Sequence, residues 1–267
     1  MDDLQPFESS NILMAAARAA RSEFEVNCTE FLQNNSYDEM RHTDPNTREQ
    51  VIKLRFQNRI PPTLRYKASS IINDTRHTLD QAVCDAALLL GFNGQLRKLY
   101  FPIGSNQKEL NDRIHKLKKD GVRDDLADFL GSFDAQPGGN NDLYCLSTLA
   151  GQAKHQKILR ISNGDSGAVI DGSGSWSITG PVTLNIRKWN DLRNELEFAR
   201  VGVGGSFDAR IGVDTYPILE VVLFDGAPPY SGPAPLVLDR LIEKTSQTLT
   251  GIIETTFHLA GISPQNH

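Results

Sequence analysis

The run from Pro61-Pro62 to Gly91 constrains this chain more than any other stretch. Adjacent prolines suit an opening helical turn, where their missing N–H groups have no intrahelical acceptor, and glycine suits the position just past a helix end. At about 100° per residue, Leu64, Ala68, Ile71, Ile72, Thr75, Leu79, Ala82, Val83, Ala86, Leu89 and Leu90 fall within roughly a 120° arc. Tyr66, Ser70, Asn73, Asp74, His77 and Gln81 lie opposite. The spacing therefore predicts a long amphipathic helix. Arg76 sits at the shoulder of its apolar stripe, and Asp80, one turn later, is its natural ion-pair partner. Both should be partly buried.

Other helices follow from the same periodicity. Ser9 and Ser10 precede Leu13, Ala16, Ala20, Phe24 and Cys28 at helical steps, and Asn34-Asn35-Ser36 ends that run. His42 to Arg48 reads as a turn, and Gln50 to Gln57 as a short strand. Helices are predicted over 106–120 and 124–130, and over 142–155 with Asp142 as its cap. From Lys157 to Phe224 glycine-rich turns separate period-two runs, the mark of a small, mostly antiparallel β region. A last helix, about Pro235 to Ala260, carries Leu238, Leu241, Ile242, Leu249 and Ile252 at helical spacing.

This order predicts an α+β fold as a single domain over 1–267. The N-terminal, central and C-terminal helices would form a helical bundle from 8–155 and 234–261, with a β-rich insertion at 156–226.

Composition narrows function by exclusion. The chain of 267 residues has 28 Lys+Arg and 33 Asp+Glu, a formal charge of −5, which argues against a generally basic nucleic-acid-binding surface but not against a local basic patch. Met1 to Glu8 is acidic and lacks the basic and apolar regions of a signal peptide, and the longest apolar run is far too short to span a bilayer. Cys28, Cys84 and Cys145 are widely spaced and fit a reducing compartment, each acting as a small apolar residue. The expectation is a soluble cytoplasmic protein with no membrane partner. The sequence has no phosphate-binding loop and no spacing typical of a metal site, so no cofactor and no metal are expected.

Several motifs in order resemble a family of uncharacterised bacterial proteins. In that family a Pro-Pro opening precedes a helix of the form H-N-L-R-S-A-L-D-H-L, then F-P-I, a helix ending D-K-H-R-L-L, a β region and a last helix. Here the matching stretches are Ile60-Pro61-Pro62, the helical segment from Asn73 to Ala82, Phe101-Pro102-Ile103, the segment from Ala153 to Leu159, Leu219 to Gly226, and Val237 to Ile242. The likeness spans residues 22–257. Two departures matter: Gln81 stands where the family has histidine, and Ala153 where it has aspartate.

The family's Arg followed five positions later by His is reminiscent of HEPN-type helical bundles, many of them metal-independent ribonucleases. The resemblance implies a histidine exchanging a proton with a ribose or leaving oxygen, and an arginine stabilising charge on phosphate. None of the six histidines here has an arginine five to seven positions before it, and Gln81 cannot exchange a proton near neutral pH. That weakens the ribonuclease reading. A rearranged site would use Arg76, Asp80, Lys154 and His155, and these are the candidate catalytic residues. The structural alternative is that Arg76 and Asp80 merely pin the long helix to its neighbours.

Other matches have plainer readings. Gly164-Asp165-Ser166-Gly167 resembles a serine-protease nucleophile motif but follows a mostly helical segment, so it reads as a turn. Gly202-Val203-Gly204-Gly205 lacks the helix that a dinucleotide loop needs and reads as a hairpin turn. Lys116, Lys118, Lys119 and Arg123 interleave with Asp112, Asp120, Asp124 and Asp125, which predicts a salt-bridged surface. Trp176, Trp189, Tyr216 and Tyr230 are expected in core or hairpin pairing rather than on a binding platform. The leading expectation is a non-catalytic interaction module. Helical bundles often dimerise through helix faces, so a homodimer is one arrangement the sequence allows. RNA or a nucleotide enters as a partner only under the enzyme reading.

Overall fold

The structure, a computed structural model, describes residues 5–34, 36–154, 161–164, 168–170, 177–190, 193–208, 213–215, 218–221 and 234–262. Among these, six α-helices form: α1 (Glu8–Gln33), α2 (Pro62–Leu89), α3 (Gln107–Lys119), α4 (Asp124–Ser132), α5 (Asn141–Lys154) and α6 (Ala234–Ala260). The proline-opened helix is α2. Pro61 precedes its first turn, and Gly91 after its last turn takes φ +87°, a backbone conformation glycine adopts without a Cβ clash. Every apolar residue of the wheel arc from Leu64 to Ala86 is buried.

Helix α2 is the hub of the bundle. It packs along α1, α5 and α6, and α6 in turn touches α1, α4 and α5. Leu79, Ala82, Leu146, Leu149, Leu238 and Ile252 meet in one apolar core. Thr78 and Ala87 are buried as well, although they lie outside the predicted arc, because helices cover α2 from more than one side. Phe7, just ahead of α1, stacks edge-on against Phe257 of α6 with ring centroids 6.0 Å apart. The first and last described helices therefore close the bundle together.

Ten strands are found among the described residues: β1 (Tyr37–Thr43), β2 (Gln50–Phe56), β3 (Ile161–Gly164), β4 (Ala168–Ile170), β5 (Ser177–Thr179), β6 (Val182–Asn190), β7 (Glu195–Val201), β8 (Ser206–Asp208), β9 (Val213–Thr215) and β10 (Ile218–Val221). Their pairings are all antiparallel. The largest sheet has the order β1-β2-β7-β6, and β3–β10, β4–β9 and β5–β8 are two-stranded. The fold is α+β.

Three local readings are corrected. The segment starting at His42 is not all turn: Tyr37–Thr43 is a strand paired with β2, and only residues 44–48 form the turn. The four-stranded sheet thus takes two strands from residues 37–56, ahead of the segment 156–226. Helix α1 starts at Glu8, so Ser9 and Ser10 lie inside it. Helix α5 starts at Asn141, and Asn140 Oδ1, not Asp142, accepts from the Leu143 N–H at 3.4 Å.

The sheet buries its own apolar side chains: Val51, Ile52 and Leu54 of β2, and Phe198, Ala199 and Val201 of β7. Ile52 faces Ala199 while Lys53 faces Glu197, so Phe198 is an extra residue in β7. Such a bulge lets two consecutive residues, Phe198 and Ala199, both point inward. Residues 202–205 form a turn, with Gly205 N–H donating to the Gly202 carbonyl at 2.9 Å, but not the predicted hairpin: β7 before it pairs with β2 and β6, and β8 after it pairs with β5. A Cβ on Gly180 would meet the Gly205 Cα at 2.8 Å, so these neighbouring turns pack backbone on backbone.

Candidate functional site

Arg76 and Asp80 come together on one face of α2. Arg76 Nη1 pairs with Asp80 Oδ1, and Arg76 Nη2 donates to the Phe101 carbonyl at 3.2 Å. The same Asp80 Oδ1 accepts from the Phe101 N–H at 2.9 Å. Both polar groups of one residue's backbone are thereby held by the ion pair. Phe101 itself is buried, and Arg76 is 9% exposed. The pair closes the loop containing Phe101-Pro102-Ile103 onto α2, as a polar clamp inside an apolar setting.

Lys154 is the last residue of α5. His155 lies outside the described residues, as do Asp165, Ser166, Trp176, Tyr216 and Tyr230. Gln81, at the position where the resembled family has histidine, donates from Nε2 to Asp85 Oδ1 at 2.8 Å. Ser10 Oγ reaches Asp85 Oδ2 at 3.0 Å, which ties α1 to α2. Burial holds the Asp85 carboxyl above the usual carboxylate range, and the hydrogen bonds from Gln81 and Ser10 offset only part of that rise.

The basic cluster at the end of α3 and the start of α4 is a salt-bridged surface. Lys116 pairs with Asp120 at 2.7 Å, Lys118 with Asp128 at 2.6 Å and Arg123 with Asp125 at 2.6 Å. All three thiols are pushed upward, chiefly by burial: Cys28 and Cys145 to about 12, Cys84 to about 11. They are poor nucleophiles and poor metal ligands near neutral pH. Among the described residues no group of three or more His, Cys, Asp or Glu side chains is placed to hold a metal. No described helix is long and apolar enough to cross a membrane.

A cleft of about 670 Å³ opens elsewhere, between the C-terminal end of α1 and the N-terminal turn of α2. Asn27 and Phe31 line it from α1, Asn34 from just past the end of that helix, Asn58 and Arg59 from the loop after β2, and Lys67 from α2. The loop wall is pinned where it leaves β2. Gln57 N–H donates to the Ser36 carbonyl at 3.0 Å, and the buried Asn194 side chain donates to the Asn58 carbonyl at 2.9 Å. Below the loop, Glu195 is 3% exposed, accepts from Arg55 Nε at 2.9 Å and lies 3.6 Å from Lys53. Burial raises the Glu195 pKa, but the hydrogen bond and charge of Arg55, with Lys53 beside it, outweigh burial and leave it lowered.

Sequence reasoning missed this cleft. A usable signal was nevertheless present: residues 50–73 carry five basic side chains, Lys53, Arg55, Arg59, Arg65 and Lys67, and no carboxylate, within a chain of net charge −5. Compared with family models, with curated proteins and with solved structures, the chain finds no match.

Proposed function

We propose that this chain is a soluble cytoplasmic bacterial protein that acts as a non-catalytic interaction module. One observation carries the reading: Arg76 and Asp80, half of the candidate acid–base set, are engaged with each other and with both backbone polar groups of Phe101. An arginine that stabilises a phosphate must present its guanidinium to substrate, and a general base must reach the proton it removes. Here both side chains serve the packing of a buried loop against α2. The resemblance to HEPN-type bundles then extends to a helical scaffold and not to its chemistry.

The test is cleavage of a labelled single-stranded RNA by the purified full chain in a chelating buffer, at high protein excess, beside the His155→Ala and Arg76→Ala variants. Intact RNA with all three proteins is the expected result. Cleavage by the wild type that disappears in His155→Ala would overturn the reading in favour of a metal-independent ribonuclease.

A further inference from the structure

We propose that the outer edge of β1 is a surface for a second copy of this chain. Two copies join β1 to β1, antiparallel and centred on Met40, so that their four-stranded sheets become one across a two-fold axis. This partner lies beyond the interaction-module reading and holds whether or not the chain cleaves RNA.

β1 ends the sheet order β1-β2-β7-β6, and among the described residues it pairs with no strand but β2. Antiparallel strands bond to each side through alternate residues, so half of the β1 backbone groups face outward with no ladder partner. The strand is also open on its faces. Asp38, Glu39, Arg41, His42 and Thr43 are exposed, whereas Val51, Ile52 and Leu54 of β2 beside it are buried. Such an edge is a template for another strand unless its side chains repel one.

Here the side chains attract a second copy. Two identical strands related by a two-fold axis perpendicular to the sheet must oppose residues whose side chains leave the same face, so the axis falls beside one residue. Centred on Met40, Asp38 meets the partner's His42 and Glu39 meets the partner's Arg41, and the symmetry repeats both pairs. An imidazole N–H donates to a carboxylate in its neutral as in its charged form. Other registers fail. Centring on Glu39 or on Arg41 sets that residue against its own copy, and like charges directly opposite destabilise a strand pair. Centring on Asp38 or His42 leaves most of the strand unpaired. Charges that guard an edge repel a copy, whereas an order that reverses sign about its centre steers one into register.

The contacts already made by these side chains are compatible with that partner. Arg41 Nε donates to Glu39 Oε1 in the same strand, and Nη1 donates to the Phe207 carbonyl at 2.9 Å. The guanidinium keeps a second terminal nitrogen, and the carboxylate a second oxygen, for their counterparts across the axis. On the other face Asp38 lies across from Arg55, whose guanidinium is held by Glu195. The side chains of Asp38 and His42 take no hydrogen-bond or ion-pair partner among the described residues. One pair of seven-residue strands is a small interface, which sets the expected dissociation constant in the micromolar range or weaker.

The experiment is analytical ultracentrifugation of the full chain from about 1 µM to about 1 mM, the span over which a small interface dissociates. The wild type should pass from monomer to dimer. Glu39→Arg and Arg41→Glu should each weaken association by about tenfold or more, because each opposes like charges on both sides of the axis. An equimolar mixture of these two variants should regain the dimer, since the mixed pair again opposes unlike charges. Recovery on mixing separates lost pairing from lost folding. Under mild oxidation Met40→Cys should cross-link to its own copy, as directly opposed Cα atoms lie about 4.5–5.5 Å apart, within disulfide reach. Glu39→Cys, offset from its copy by two positions, should remain uncrosslinked like the wild type. A wild type that stays monomeric throughout, a dimer indifferent to both charge variants or not restored by mixing them, or cross-linking at Glu39→Cys in place of Met40→Cys would overturn the proposal.

Discussion

Asp80 Oδ1 accepts from both the Arg76 guanidinium and the Phe101 N–H, while Arg76 donates to the Phe101 carbonyl. Two side chains one helical turn apart thus satisfy a whole residue of a buried loop. Buried backbone groups need partners, and a loop with no sheet neighbour must find them in side chains. The Arg76–Asp80 pair on α2 supplies those partners to Phe101.

Closure of the bundle by its ends predicts a large cost for Phe7→Ala. Phe7 is 2% exposed, takes φ +65° and meets Phe257. An aromatic side chain held in the left-handed region must be retained by its packing. Truncation should lower the unfolding free energy by about 3–5 kcal/mol in urea titrations. A loss below about 1 kcal/mol would show that the two termini do not share a core.

Much of the helical architecture was legible because it is written locally. The α2 stripe, the prolines that open the helix, and Gly91 after it all act within a few residues, and the predicted buried face from Leu64 to Ala86 matches the structure. Strand β1 was not legible. Its residues, Tyr37 to Thr43, include Asp38, Glu39, Arg41 and His42, with no apolar alternation to betray a strand. What makes it one is the backbone of β2, and β2 pairs in turn with β7, some 140 positions later. That register is a non-local fact. The Arg76–Asp80 pair could be read from an i, i+4 spacing, whereas its Phe101 partner depends on where a distant loop folds back. The cleft was hidden for the same reason: Asn27 and Asn34 meet Asn58 and Arg59 only after α1 and α2 have packed.

Asp85 and Glu195 should give opposite pH signatures. The Asp85 pKa is raised, so the folded state holds its proton more tightly than the unfolded chain does. This contribution to stability therefore falls as pH rises from the unfolded value of about 3.9 through the folded value, then levels off. Asp85→Asn removes the dependence, and the Gln81 amide can turn to keep its hydrogen bond. The variant should gain on the wild type as pH rises through that window. A stability difference that does not change with pH, or changes in the other direction, would contradict the assignment.

For Glu195 the sign reverses. Its folded pKa is lowered, so its contribution is present above the unfolded value of about 4.3 and is lost as pH falls through the folded value. Glu195→Gln should cost about 1–2 kcal/mol at neutral pH, a figure discounted because Arg55 is half-exposed, and the deficit should shrink on acidification. Urea midpoints measured for both proteins from pH 3 to 7, roughly the span of the carboxylate values, check this.

The three cysteines should be silent in the native state. With Cys84 at about 11 and Cys28 and Cys145 at about 12, almost no thiolate is present at mildly alkaline pH. A chromogenic disulfide reagent should find no fast-reacting thiol in folded protein and all three in urea. A native thiol that reacts as quickly as free cysteine would contradict the burial described for it.

A double-mutant cycle on Arg76 and Asp80, read as unfolding free energy, tests the clamp on Phe101 most directly. If the pair is a structural clamp on Phe101, Arg76→Ala and Asp80→Ala should each cost about 2–4 kcal/mol. The double variant should then show a coupling of about 1–3 kcal/mol between them. An Arg76→Ala protein as stable as the wild type, with no coupling to Asp80, would contradict the clamp and return Arg76 to the list of residues available for chemistry.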